Sequence, residues 1–342
     1  MKVMRIGVDL AKNVFQVHGV DGKEQPVWRR QLSRARWVAA VTAKLAPGGE
    51  IGMEACAGAN HWAREFQSRG YQVKLIAPQF VKPYVKTNKH DMADAEAICE
   101  AMSRPSMRFV TVKSVEQQDI QAVHRVRAEL MSQRTAKANQ MRGLAGEYGL
   151  VAPRQISHLR RAIPNWLEDG ENGLSFRFRR LLDGLWGDLR GLDERVGELN
   201  EEIESIATTH GDAKRLQQLR GVGPIIATAL IAAMGDGAQF TKGRDFAVSL
   251  GLTPRQHSTG GKERMLGISK RGEPYLRSLL VHGGRSALYA ARNKEDRLSL
   301  WVKGIAVRRH PNVAAVAWAN KTARIAWAVV AQGNDYEPQR AN

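Results

Sequence analysis

The first 77 residues carry the pattern that most constrains the fold of this 342-residue chain. Residues 3–20 contain two β-branched runs separated by LAKN, which predicts a β-hairpin, and VWRRQL at 27–32 predicts a third antiparallel strand. A helix over about 33–45, a buried strand at 50–55, a helix over about 60–69 and a strand at 71–77 follow. The sequence therefore predicts the order β-β-β-α-β-α-β.

A meander of strands followed by strands alternating with helices is the usual order of an RNase H-like sheet. We therefore expect an α/β, RNase H-like N-terminal domain. The rest of the chain has helical periodicity, which predicts a helical coiled-coil middle and a mainly α C-terminal domain.

Four acidic residues lie where such a sheet could bring them together. Asp9 and Glu54 interrupt apolar strand ends, and Asp91 and Asp94 begin a helix three residues apart, on one face. Carboxylates from two strand ends and one helix would supply oxygen ligands for Mg²⁺ or Mn²⁺. Zinc is not favoured, because the cysteines of the chain lack the spacing of zinc ligands. The alternative for Asp91 and Asp94 is capping of the helix, but burying Asp9 and Glu54 without a cation would be costly.

The middle of the chain is dominated by two helical stretches. Residues 114–148 contain no proline and keep apolar residues at helical spacing, and residues 175–206 repeat leucine, valine and isoleucine at three and four residues. Pro153 and Pro164 are expected to bracket a break between them. An antiparallel coiled-coil arm for dimerisation is one interpretation, and an ordinary helical subdomain is the other.

The segment LQQLRGVGPIIATALIAAMGD at 216–236 has the form of a helix-hairpin-helix. Gly221 and Gly223 would permit a tight turn, and the next helix would start near Pro224. Exposed amides at such a turn can hold a DNA phosphate, whereas the simpler alternative is a plain turn between two helices.

A hydroxyl-bearing, glycine-rich loop follows in the sequence HSTGGKERMLGISKRGEP. Ser258 and Thr259 precede Gly260 and Gly261, which would let the backbone approach an anion, and a helix near Pro274 would add partial positive charge. The basic residues expected to neutralise phosphates here are Lys262, Arg264, Lys270, Arg271, Arg277 and Arg285.

The charge of the chain indicates a polyanionic partner. The net charge is +18, divided as +7 over residues 1–112, −2 over 113–212 and +13 over 213–342. We predict domains at 1–112, 113–212 and 213–333, with a tail at 334–342. Cys56 and Cys99 lack metal-ligand spacing and are expected to be buried. The sequence contains neither a long apolar run nor a signal-like region, so an intracellular protein is expected.

The motifs GVDLAK, MEACAG and KHDMADAEAI resemble the Asp, Glu, Asp, Asp motif of the RuvC-like domain in DEDD insertion-sequence transposases of the insertion-sequence one-ten family. LRGVGPIIATALIAAMGD and GLTPRQHSTGGKERMLGISKRGEPYLR are similar to the transposase domain of that family, in its subgroup with an HS(S/T)GGK loop. The resemblance runs from about residue 6 to 330.

This resemblance implies a recombinase in which Asp9, Glu54, Asp91 and Asp94 hold Mg²⁺ and Ser258 forms a covalent 5′-phosphoserine. An ungapped alignment from the preceding proline would move the nucleophile to Thr259. The resemblance also implies DNA partners at the element ends and target, a structured noncoding guide RNA, a dimer or tetramer, and a bacterial, cytoplasmic, nucleoid-associated location. The alternatives are a RuvC-like junction resolvase that uses metal-bound water, and a non-catalytic nucleic-acid-binding protein.

Overall fold

The computed structural model describes residues 2–85 and 91–337 of the chain, apart from the side chain of Asp91. The backbone contacts divide the chain into two compact units, residues 1–114 and 115–342. No helix within the described ranges is both long and apolar enough to cross a membrane. The finer boundary predicted at 212/213 stays a prediction, as does the predicted loose tail, whose last residues, 338–342, lie outside the described part.

The first unit is built on a six-stranded sheet whose strand order is β3-β2-β1-β4-β5-β6. Strands β1, β2 and β3 form the predicted antiparallel meander, and β1, β4 and β5 are parallel neighbours. This topology is compatible with the RNase H-like order that the sequence predicts. The strand bounds are β1 Val3–Leu10, β2 Val14–Val20, β3 Pro26–Ser33, β4 Leu45–Glu54, β5 Gln72–Ile76 and β6 Phe109–Val110.

The α-helices described in this unit are α1 Trp37–Lys44, α2 Ala59–Gln67, α3 Pro78–Val81 and α4 Asp91–Met102. Helix α1 begins later than predicted because β3 continues to Ser33 in its pairing with Val14. The aromatic rings of Phe15, Trp37, Trp62 and Phe66 pack edge to face in the core, with neighbouring centroids 4.7–5.6 Å apart. The short strand β6, which pairs antiparallel with β5, has no counterpart in the sequence prediction.

The second unit begins with two long antiparallel helices, α5 Val115–Gly146 and α7 Phe176–Thr209, joined through α6 Ile156–Glu168. Hydrogen bonds between α5 and α7 show that the two helices are antiparallel. Arg127 bonds Asn200 at 2.6 Å, and Lys137, ten residues later on α5, bonds Asp188, twelve residues earlier on α7, at 2.9 Å. The two predicted helical stretches are confirmed. Coiled-coil packing between them stays a prediction.

The sequence predicts a break in helical structure between Pro153 and Pro164. This prediction is wrong for the second proline, because α6 continues through Pro164. A proline inside a helix removes one backbone hydrogen bond. Burial of Leu159 and Ile163 on the α6 face that packs against the long helices offsets that loss.

From residue 211 to 337, the described remainder of the second unit is a bundle of six helices and one small hairpin. Its helices are α8 Gly211–Leu216, α9 Pro224–Met234, α10 Gly243–Ser249, α11 Pro274–Ala290, α12 Arg297–Arg308 and α13 Pro311–Ala331. The hairpin consists of β7 Pro254–Gln256 and β8 Met265–Ile268, between α10 and α11. Helix α9 is the centre of the core, since nearly every side chain from Ile226 to Met234 is buried.

Candidate active site

Two of the predicted carboxylates lie side by side at one end of the sheet. Val8 on β1 is in register with Met53 on the parallel strand β4, so the next residues, Asp9 and Glu54, are neighbours at the carboxyl ends of both strands. Both residues are half-buried. We call Asp9 and Glu54 the carboxylate edge. The register of two adjacent parallel strands is what brings these acids together.

Helix α4 covers the sheet face on which the carboxylate edge lies. A Cβ atom on Gly7 would come within 2.2 Å of the Ala95 carbonyl oxygen, and one on Gly52 within 2.0 Å of the Met102 sulfur. Gly7 and Gly52 precede the two acids by two positions, so all four residues belong to the same face of the sheet. The absent glycine side chains are what allow the helix to approach this closely.

The third and fourth predicted acids belong to the first turn of α4. Asp94 is half-buried and directly precedes Ala95, the residue that packs against Gly7. The side chain of Asp91 lies outside the described residues. In residues 2–85 and 91–337, no three His, Cys, Asp or Glu side chains come close enough together to hold a metal ion.

The carboxylate edge nevertheless fits a divalent cation by the chemistry of its donors. Mg²⁺ in phosphoryl-transfer sites is commonly bound by one or two carboxylates, with water and substrate phosphate completing the shell. Burial raises the pKa of the Cys56 thiol, and the negative charges of Glu54 and Asp9 raise it further. Both carboxylates therefore concentrate negative charge at one place. Cys99 is buried as predicted, but Cys56 is exposed because it follows the end of β4.

The predicted nucleophiles lie on the hairpin between β7 and β8, which we call the serine hairpin (residues 254–268). Thr259 and Lys262 pair across a turn whose central residues, Gly260 and Gly261, have φ values of 57° and 76°. Positive φ at both central positions is the pattern of a type I′ turn, which glycine adopts without strain. The turn is therefore one reason for the two glycines, and nucleic-acid binding at Gly260 and Gly261 stays a prediction.

The Ser258 hydroxyl is exposed, and its oxygen accepts a hydrogen bond of 2.9 Å from the Gln256 side-chain amide. An amide cannot take up a proton from serine at neutral pH. The neighbouring His257 is held in the hairpin by a backbone hydrogen bond of 2.9 Å to Arg264. Attack of Ser258 on phosphorus therefore needs a base other than Gln256, or a metal ion. Gln256 is a neighbour of the serine that the sequence prediction missed.

The base of the serine hairpin is tightly packed, in contrast to its tip. A Cβ atom on Gly272 would meet the Ser249 carbonyl oxygen at 1.8 Å, and one on Gly251 would meet the Arg271 oxygen at 2.2 Å. The Arg277 guanidinium donates to the Leu250 carbonyl oxygen at 3.0 Å. Arg277 therefore stabilises the base of the hairpin by connecting α11 to the end of α10. The predicted phosphate ligands with exposed side chains are Lys262, Arg264, Lys270, Arg271 and Arg285.

The helix after the hairpin begins at Pro274 as predicted, and one of its first-turn amides has a side-chain partner. The Glu273 carboxylate accepts a hydrogen bond of 2.7 Å from the Leu276 amide. An acidic N-cap satisfies this amide and offsets part of the positive charge expected at the helix start, and anion binding there stays a prediction. The sequence signal was present, since glutamate directly precedes the proline.

Tyr275, in the first turn of α11, is anchored by a buried histidine of α5. The His124 ring bonds the Tyr275 hydroxyl at 3.0 Å through Nδ1 and the Thr228 hydroxyl at 2.9 Å through Nε2. Burial lowers the pKa of His124 to about 4, and the positive charge of Arg127 contributes to the shift. The neutral imidazole therefore links α5, α9 and the start of α11.

The predicted helix-hairpin-helix turn lies between α8 and α9. Gly221 has a φ of 85°, and a Cβ atom there would meet the Gly283 carbonyl oxygen of α11 at 2.4 Å. Gly223 is extended, and nothing lies within 4 Å of its Cβ position. Gly221 thus permits close packing of the turn on α11, while Gly223 has the open surroundings that a phosphate contact needs. Phosphate binding at both glycines stays a prediction.

Comparison with known proteins gives a consistent result for both units. Residues 213–298 match the family model described as "Transposase IS116/IS110/IS902 family", and residues 6–149 match a DEDD model of IS110 elements described as "Transposase". The chain is 51% identical over 341 residues to a "Probable family 20 transposase" of Pseudomonas aeruginosa, covering 99% of this chain and 100% of the relative.

Two further relatives are named for individual mobile elements. The transposase for insertion sequence element IS1111A of Coxiella burnetii is 46% identical over 98% of this chain and 92% of its own length. The transposase for insertion sequence element IS1328 of Yersinia enterocolitica is 43% identical over 97% of this chain and 98% of its own length. The similarity therefore extends across both units.

Proposed function

This chain belongs to the IS116/IS110/IS902 family of transposases, and we propose that it moves an insertion sequence through a covalent 5′-phosphoserine on Ser258. A DNA transposase must break phosphodiester bonds and rejoin them elsewhere. The observation that carries the proposal is the exposed hydroxyl beside a type I′ turn, in a chain whose other unit pairs two carboxylates.

In the proposed cleavage step, the Ser258 oxygen attacks phosphorus and displaces the 3′ oxygen of the neighbouring nucleotide. One oxygen–phosphorus bond forms and one breaks, the serine proton is removed, and the 3′ oxygen leaves as a hydroxyl. A 3′ hydroxyl from the exchanged strand then attacks the phosphoserine, which releases Ser258 and seals the new joint. The number of phosphoester bonds is conserved, so no ATP is required.

Asp9 and Glu54, with Asp91 and Asp94, are the residues proposed to hold a divalent cation, Mg²⁺ or Mn²⁺. When bound, the cation would polarise the phosphodiester and stabilise charge on the attacking and leaving oxygens. Membership of a DEDD transposase family supports divalent metal use in general. The role of the carboxylates is to fix the cation at the end of the sheet, beside the phosphate.

The partners of the proposed reaction are polyanions. The residues after 212 carry a net charge of +13, and the serine hairpin exposes Lys262, Arg264 and, at its base, Lys270. These side chains would neutralise backbone phosphates of the DNA. The family resemblance adds a guide RNA from the element and a dimer or tetramer, in which one subunit's acids could act with another subunit's serine.

The decisive experiment looks for the covalent intermediate. The protein is incubated with Mg²⁺, labelled DNA carrying the element ends and the noncoding RNA of the element, and then separated under denaturing conditions. We expect a protein–DNA adduct for the unmodified protein and for Thr259→Ala, and none for Ser258→Ala. Both substitutions remove an exposed hydroxyl from the same hairpin, so each controls for the other.

The other outcomes point to the alternatives. Cleavage without any adduct would contradict covalent catalysis and favour a nuclease that uses metal-bound water. An adduct that survives Ser258→Ala but disappears with Thr259→Ala would move the nucleophile to Thr259.

A further inference from the structure

The face shared by α12 and α13 carries positive charges that the proposed function does not use. Arg297 and Trp301 lie one turn apart on α12, and Lys321 and Arg324 lie one turn apart on α13. The Lys321 ammonium is 4.8 Å from the centre of the Trp301 ring. Arg297 and Arg324 are exposed, and Trp301 is 36% exposed. We call these four residues the α12/α13 cationic face.

The nearest acid in the sequence is already engaged. Asp296 accepts hydrogen bonds from Arg220 at 3.0 Å and from the Ser299 hydroxyl at 2.7 Å. Although partial burial raises its pKa, these bonds from Ser299 and Arg220 hold the pKa of Asp296 at about 2. The carboxylate beside Arg297 is therefore bound to α12 and to Arg220.

In the described part of the chain, the salt bridges include none from a carboxylate to the cations of this face. Partial burial lowers the pKa of Lys321, and the positive charges of Arg324 and Arg297 lower it further. Within the described residues, no carboxylate lies within 4.0 Å of these three cations. A cation–π contact with Trp301 offsets part of the desolvation of Lys321, but it leaves the repulsion among the three charges in place.

We propose that Arg297, Lys321 and Arg324 bind the phosphodiester backbone of a nucleic acid. The arrangement favours a polymer over a single ion, because Lys321 and Arg324 lie about one helical turn apart on α13 and Arg297 adds a third charge from α12, so successive phosphates can meet separate cations. Phosphates would also relieve the repulsion, and release of counterions would add to binding. The site does not depend on the chemistry of Ser258.

The test is direct titration of fluorescein-labelled nucleic acid by anisotropy, in the Ser258→Ala background so that no strand is cut. One arm uses a mixed-sequence DNA duplex and the other an RNA hairpin, each at several KCl concentrations. For the triple variant Arg297→Gln, Lys321→Gln, Arg324→Gln we expect about tenfold weaker binding at 100 mM KCl. The slope of log Kd against log[KCl] should fall by about 2 to 3, roughly one for each phosphate that is no longer neutralised.

The matched control is Arg308→Gln, which removes one exposed charge from the other end of α12 and should leave the slope unchanged. An equal loss with Arg308→Gln would replace a defined site by a diffuse basic surface, and an unchanged Kd and slope in the triple variant would overturn the proposal. If the triple variant does not fold, Arg324→Gln alone, at an exposed position, should still lower the slope by about one. The arm that weakens identifies DNA or RNA as the partner.

Discussion

The carboxylate edge and the serine hairpin are built in opposite ways. Asp9 and Glu54 are fixed by the register of two central strands, under a helix that packs directly against the sheet. Ser258 lies in a hairpin whose side chains from Pro254 to Gly267 are all exposed, and only the base of this hairpin is tied to the bundle. Folding alone therefore sets the positions of Asp9 and Glu54. We expect the orientation of the Ser258 hydroxyl to be set only when the nucleic acid binds.

The largest expected effect comes from the carboxylate edge. Asp9→Asn keeps the shape of the side chain but removes its charge, so we expect cleavage to fall by about 10³-fold or more while DNA affinity stays within about twofold. Stabilisation by Mn²⁺ in thermal unfolding should disappear in the same variant. Glu65→Gln, which removes a surface carboxylate of the same unit, is the control. Full activity of Asp9→Asn would contradict the metal assignment.

The second prediction concerns the anchor of the helix that follows the serine hairpin. His124 has a folded-state pKa of about 4, below its ordinary value of 6.5, so the folded protein binds fewer protons than the unfolded chain between these values. The free energy of unfolding should therefore decrease by about 3 kcal/mol as the pH falls from 6.5 to 4. Urea unfolding across this range, with His124→Gln as the comparison, measures it. An unchanged pH slope in the variant would show that other groups cause the dependence.

The contrast between the two regions also explains what the sequence could predict. Strand order and the positions of Asp9 and Glu54 follow from the alternation of β-branched residues, because register is strongly specified wherever one face is buried. The break expected up to Pro164 was predicted wrongly, since tertiary packing outweighs a single helix-breaking residue, and the cap at Glu273 was not predicted at all.

Other contacts were beyond sequence reasoning for a different reason. Gln256 lies only two positions before Ser258, so its hydrogen bond to the hydroxyl is local and was simply missed. His124 meets Tyr275 across 151 positions of sequence. Contacts between distant side chains depend on the packing of whole helices, and a single sequence contains no local sign of them.

The third prediction tests the rigidity of the carboxylate edge. A methyl group at Gly7 would collide with the Ala95 carbonyl oxygen, so Gly7→Ala should lower the free energy of unfolding of this unit by about 2 kcal/mol or more. Gly22→Ala is the control, because the nearest atom to its Cβ position is 4.0 Å away. Chemical unfolding monitored by tryptophan fluorescence measures both. Equal stability of the two variants would show that α4 can move away from the sheet at little cost.

The smallest effect separates two reasons for the glycines of the serine hairpin. If Gly260 is needed only for its positive φ of 57°, Gly260→Asn should keep strand exchange within about twofold, because asparagine tolerates this conformation in a type I′ turn. Gly260→Val should reduce strand exchange about tenfold, since a β-branched residue is strained there.

Gly260→Asn should leave the melting temperature unchanged, because nothing in the described structure lies within 4 Å of a Cβ atom at this position, whereas the backbone strain of valine at positive φ should lower it slightly. Equal losses in Gly260→Asn and Gly260→Val would contradict the turn explanation. They would indicate instead that DNA approaches the backbone at Gly260 so closely that no side chain fits. In that case the glycines of the exposed hairpin would be required by the substrate, whereas Gly7, two positions before Asp9, is required by the close packing of α4.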